Sequence, residues 1–187
     1  MLRFAVGLGG GFMRETFDDP SAPDERTAVG ASLMGSVDIG GALTDELTLH
    51  GRIALLVLAE PDFEADGRDV DLPYHMNVMS VLLGPGLTYN IMPLNLYITG
   101  VVGLHVLSYN YDEEDEDFDE DDRDDPLAGF GLNLDVGKEW WVTTQTGIGV
   151  AARFAWGTGG GKYETLGLRD SDRNLIAFGL LFSVTHQ

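Results

Sequence analysis

Apolar and polar residues alternate with a period of two along most of this chain. Near the N-terminus, Leu2, Phe4, Val6, Leu8 and Phe12 alternate with Arg3, Ala5, Gly7, Gly9 and Gly11. Val29, Ala31, Leu33, Val37 and Ile39 then alternate with Gly30, Ser32, Met34, Ser36 and Asp38. Leu47, Leu49, Ile53, Leu55 and Val57 alternate with Thr48, His50 and Arg52, and Leu96, Ile98, Val102, Leu104 and Val106 with Tyr97, Thr99, Gly103 and His105. The pattern returns at Phe130–Val136 against Asn133 and Asp135, at Ile148–Trp156 against Gly149 and Arg153, and at Ile176–Val184 against Ala177, Gly179 and Ser183. Such runs predict strands with two unlike faces. The segment 75–90 is the least regular. It is apolar on both parities before Gly84-Pro85-Gly86, where a β-bulge is expected. Eight strands of about 11–16 residues result, where soluble strands average about 5–6 and a bilayer-crossing strand needs about 9–11.

The connections alternate too. Long polar segments at about 14–26, 60–73, 110–126 and 158–172 are separated by short turns in "GALTDE", "IMPLN" and "WVTTQ". In an up-and-down sheet this places every long loop at one rim, and the short turns with both termini at the other. Leu72–Tyr111 contains no Asp, Glu, Lys or Arg and is long enough for a membrane helix. Its Gly84-Pro85-Gly86, Pro93 and scattered Asn and Thr suit two strands joined at "IMPLN" instead.

The two faces have the reverse polarity of a soluble barrel. One is continuously bulky and apolar. The other carries small residues together with Arg3, Asp38, His50, Arg52, His105, Asp135, Glu139 and Arg153. An eight-stranded barrel encloses room for little more than side chains, so small residues belong inside. Charges there must pair to offset desolvation. These eight residues are therefore expected to form an interior polar network. Twenty-five glycines in 187 residues fit a crowded interior.

The chain has no Cys, hence neither disulfides nor thiolate metal sites. Its net charge of −20 excludes nucleic acid as an expected partner. Most of that charge lies in "DEEDEDFDEDDRDD", residues 112–125. The first residues lack a small-x-small cleavage site and read as a strand; an exported protein would have lost its signal ahead of them, and Met1 is then an added initiator. Aromatics are expected in two girdles: Trp140, Trp141, Tyr89 and Tyr97 near the short turns, and Tyr74, Tyr109, Tyr111 and Trp156 near the long loops.

Over its whole length the chain resembles the small eight-stranded outer-membrane β-barrels of Gram-negative bacteria, OmpA-like or OmpW-like in layout. The resemblance is sharpest in "GPGLTYNIMPLNLYITGVVGL", "LDVGKEWWV" and the closing "LIAFGLLFSVTHQ", although the chain ends on Thr185-His186-Gln187 and not on an aromatic. It implies a single all-β domain over residues 1–187, an antiparallel up-and-down transmembrane barrel with extracellular long loops and periplasmic termini. It also implies outer-membrane lipid, lipopolysaccharide and the barrel-assembly machinery as partners. It does not select a function, since one scaffold serves many.

Candidate chemistry is sparse. The carboxylates of Asp112, Glu113, Asp115, Asp117, Asp119 and Asp121 suit a hard divalent cation such as Ca²⁺, or a basic partner. A solvated loop extended by self-repulsion is the other reading. No EF-hand spacing is present there, and "DFEADGRDVD" at Asp62–Asp71 has only a loose calcium-loop look. "GTGGGK" at Gly157–Lys162 lacks phosphate-loop spacing and reads as a flexible loop. His50 and His105 are expected to face inward and join the interior hydrogen-bond network, a site formed with Asp38 or Asp135 being the other reading, and His75 opens a strand near the long-loop rim. No serine–histidine constellation accompanies it, so no enzyme and no cofactor is expected. The leading expectation is a non-enzymatic structural or surface-binding barrel acting through its acidic loops. The alternatives are a narrow channel for small or hydrophobic solutes and a divalent-cation-dependent adhesion or assembly module.

Overall fold

In a computed structural model of the chain, residues 1–17, 25–65, 68–69, 76–111, 126–161 and 171–186 are described. Eight long strands run in chain order: β1 (Leu2–Phe17), β2 (Glu25–Ala42), β3 (Leu47–Ala65), β4 (Met76–Ile91), β5 (Leu96–Tyr111), β6 (Leu127–Trp141), β7 (Thr146–Gly161) and β8 (Ser171–His186). Each pairs antiparallel with its sequence neighbours, and β8 pairs with β1, so the sheet closes. A two-residue strand, Arg68–Asp69, folds back on the end of β3. The short turns lie where the sequence places them; the middle one is a 3₁₀ turn, Met92–Leu94, closed by Asn95 in the left-handed conformation.

The register fixes the tilt. Successive partners lead from Val6 through Gly35, Leu55, Val81, Val106, Ala128, Gly160 and Asp172 back to Thr16, ten residues further along β1. With strands spaced about 4.8 Å and rising about 3.3 Å per residue, that stagger over eight strands tilts them by about 40°.

Parity decides the wall. Phe4, Val6, Leu8, Leu33, Ile53, Leu83, Leu104, Phe130, Phe178, Leu180 and Phe182 point outward and are exposed, Leu8 and Leu180 at 71%. The eight charged and histidine side chains expected inside are all buried. Outside, Phe130 meets Trp156 edge-on at 6.1 Å between ring centres, and Phe154 lies 5.2 Å from Phe178.

Three expectations need correction. First, the strands are longer, 15–19 residues, because alternation continues into the ranges read as loops. Residues 14–17, 25–26, 60–65, 110–111, 158–161 and 171–172 are all strand. Gly157–Gly161 of the "GTGGGK" segment is thus strand and not loop, as are residues 62–65 of the calcium-like segment. Secondly, no bulge forms at Gly84-Pro85-Gly86: the pairing with β3 is continuous across it, and β5 keeps its register either side. The irregularity lies instead between β2 and β3, where Glu60 and Pro61 face the single Gly30 and Glu60 adopts φ 40. Thirdly, Tyr97 and Tyr109 turn inward and leave the girdles. Trp140, Trp141 and Tyr89 do form an exposed aromatic group at the short-turn end. Tyr74, His75 and the side chain of Tyr111 lie outside the described residues.

Candidate functional site

The lumen is filled in layers. Register places Arg3, Tyr97, Glu139 and Thr185 at the short-turn end. Arg3 Nε donates to Thr185 Oγ1 at 3.0 Å, and its guanidinium lies 4.3 Å from the centre of the Tyr97 ring. Glu139 Oε1 stands 3.8 Å from Arg3 Nη2. Tyr97 fits because Gly137 faces it: a Cβ there would enter the phenol ring.

The next layer is an ionic cluster drawn from four strands, β2, β3, β6 and β7. Arg52 donates from Nε and Nη2 to the two carboxylate oxygens of Asp38, at 2.6 and 2.7 Å. Its Nη1 crosses the lumen to Asp135 Oδ2 at 2.7 Å. Arg153 grips the same carboxylate from Nε and Nη2 at 2.7 and 2.9 Å, and Nη2 also reaches Ser36 Oγ at 3.0 Å. Two Arg and two Asp balance, and nearly every donor has a partner, the condition under which buried charge is tolerated. His50 Nε2 bonds Thr88 Oγ1 at 3.1 Å, and Thr88 bonds Thr99 at 2.8 Å.

Above this cluster the lumen turns apolar. Met13, Met34, Leu56, Leu58, Val78, Leu107, Leu175 and Leu181 pack together with almost no exposure. His105 also sits in this layer, held by its two ring nitrogens: Nδ1 donates to the Thr158 carbonyl at 3.0 Å, and Nε2 shares a hydrogen bond with the Ser80 hydroxyl at 2.6 Å. The long-loop end closes with Glu15, whose Oε1 accepts from Arg173 Nε at 2.6 Å and Oε2 from the Tyr109 hydroxyl at 3.1 Å. The Arg173 guanidinium covers the Tyr109 ring at 4.2 Å.

All eight residues expected inside are thus buried together, though in separate layers. Glu15 and Arg173 lie two inward positions beyond the clear apolar alternation, which runs to Phe12 on β1 and starts at Ile176 on β8, so that alternation does not reach them. The apolar layer was missed for a different reason: Met34, Leu56 and Leu58 occupy inward parity, and alternation by itself cannot show that an inward position is bulky. Asp112, Glu113, Asp115, Asp117, Asp119 and Asp121 lie outside the described residues. Among the described residues no three His, Asp or Glu side chains gather as metal ligands.

No protein-family model and no curated protein matches the chain. Solved structures do. Neisserial surface protein A aligns at 13% identity and a TM-score of 0.47, covering 95% of each chain. The outer membrane protein OprG from Pseudomonas aeruginosa aligns at 12% and 0.43, covering 99% of this chain and 96% of that one. The outer membrane protease OmpT from Escherichia coli aligns at 6% and 0.44, over 99% and 96%. These neighbours are outer-membrane β-barrels. The assignment rests on the chain's own wall, since an apolar exterior around interior charges, with no open strand edge, is how strands cross a bilayer. On that wall and its closed sheet, the chain is an eight-stranded transmembrane β-barrel.

Proposed function

We propose that this protein is a non-enzymatic barrel of the bacterial outer membrane, with a plugged lumen and its surface binding carried by its long loops. The carrying observation is the sequence of seals along one axis: the Asp38–Arg52–Asp135–Arg153 cluster, the Met34–Leu56–Leu58–Leu107 layer and the Glu15–Arg173–Tyr109 clasp. Ions need a continuous polar path, and the apolar layer interrupts it. In this reading the short turns and termini face the periplasm, and lipid with lipopolysaccharide surrounds the wall. Refolded protein in a planar bilayer tests it: a silent membrane is expected, and steady conductance would favour the narrow-channel alternative. Gel mobility in mild detergent, boiled against unboiled, checks in the same sample that the barrel has formed.

A cation-dependent adhesion or assembly role rests on the twelve acidic residues between Asp112 and Asp125. Their carboxylates would take Ca²⁺ or a basic surface. Calorimetry with Ca²⁺, before and after neutralising that run, decides it, and absence of binding heat removes the role.

A further inference from the structure

The short-turn end of the lumen opens into a cavity of about 710 Å³, within the range of small-molecule sites. Its floor holds two charged groups that the fold leaves incompletely paired. Arg3, 3% exposed, uses Nε on Thr185 and lays its guanidinium on Tyr97, yet Nη1 has no hydrogen-bond partner. Glu139, 7% exposed, has Oε1 unpartnered and 3.8 Å from Arg3 Nη2, beyond hydrogen-bond reach. The ionic cluster next to it is, by contrast, closed at 2.6–2.9 Å. Buried charge left short of partners is costly, so the contrast marks this layer as one suited to an outside partner.

We propose that this cavity binds a small zwitterion with an apolar side chain, of the α-amino-acid type. A lone carboxylate would meet Arg3 but face Glu139; a lone amine would meet Glu139 but face Arg3. A carboxylate and an ammonium on one carbon answer both, at the close spacing the two residues hold. Leu43, Ile91, Met92, Leu96 and Trp141 line the cavity and supply an apolar wall for the side chain. The other charged groups there are Asp45, which adds to the pull on the ammonium, and the Met1 ammonium, which is already engaged with the Gly40 carbonyl at 2.8 Å. Binding in the cavity does not require the lumen to conduct, because the apolar layer lies beyond the cavity floor.

Calorimetry on the folded barrel in detergent tests it with leucine as probe, against N-acetyl-leucine, which lacks the ammonium, and leucine amide, which lacks the carboxylate. Leucine is expected to bind with a Kd of about 1 mM or below, and each blocked form at least tenfold more weakly. Glu139→Gln and Arg3→Gln should each weaken leucine binding about tenfold while the boiling-dependent gel shift persists. No binding heat up to several times that concentration overturns the proposal. So does equal binding of the blocked forms, or an unchanged affinity in Glu139→Gln. Should either variant fail to fold, the three-ligand series on the unaltered protein decides alone.

Discussion

Asp135 is the acceptor on which the ionic cluster turns. It takes Arg52 Nη1 on one side and both Arg153 nitrogens on the other. Asp135→Ala leaves Arg153 with only Ser36 Oγ and takes one of the three carboxylate bonds of Arg52, and a loss of about 3–5 kcal/mol is expected in the unfolding free energy from urea titration of the folded barrel in detergent. Asp38→Ala should cost less, because Arg52 keeps Asp135. Small residues are equally constrained. A Cβ on Gly157 would enter the His105 imidazole. Gly157→Ala should therefore cost about 1–3 kcal/mol, and His105→Ala in the same chain should remove most of that penalty in a double-mutant cycle. At this scale parity made the eight interior residues legible. It could not show that Arg3 would meet Tyr97 or that Arg52 would reach across to Asp135, because those partners come from strands that are not neighbours.

The elements show where local rules hold and where the ladder overrules them. Gly84-Pro85-Gly86 looks like a break, but flat pairing with β3 carries it through, with Pro85 opposite Gly51. The bulge sits instead at Glu60-Pro61, where an extra residue is accommodated against Gly30, whose missing side chain leaves room for Pro61. Glu60 at φ 40 carries left-handed backbone cost, and its amide is held by Asn77 Oδ1 at 3.1 Å. Glu60→Gly is expected to leave stability unchanged or raise it by up to about 1 kcal/mol, read as a shift in urea midpoint without a change of slope. Arg14, Glu15 and Arg173 look like loop residues in sequence, yet all three lie within strands. Their charges are met by Glu25 at 2.6 Å in the first case, and by each other in the second.

For the molecule, closure with a ten-residue stagger has a direct consequence: polarised infrared spectra of oriented bilayers should give strands tilted about 40° from the barrel axis. The layered lumen has another. Asp135→Ala loosens only one seal, so its conductance should stay near zero, since Leu56, Leu58 and Leu107 still close the path. Steady current from that single change would place the barrier in the ionic cluster alone.

Period-two alternation, the sequence of long and short connections and the reversed polarity of the two faces determined the strand number, the up-and-down order and which face meets lipid, because each is a local property of the chain. Only the tertiary structure decided how the lumen is filled. Stagger sets which inward residues share a height, and that height turns a list of polar and bulky inward positions into an open cavity, an ionic cluster, an apolar layer and a terminal clasp. No period along a single strand carries that information, since it exists only between strands brought together by closure.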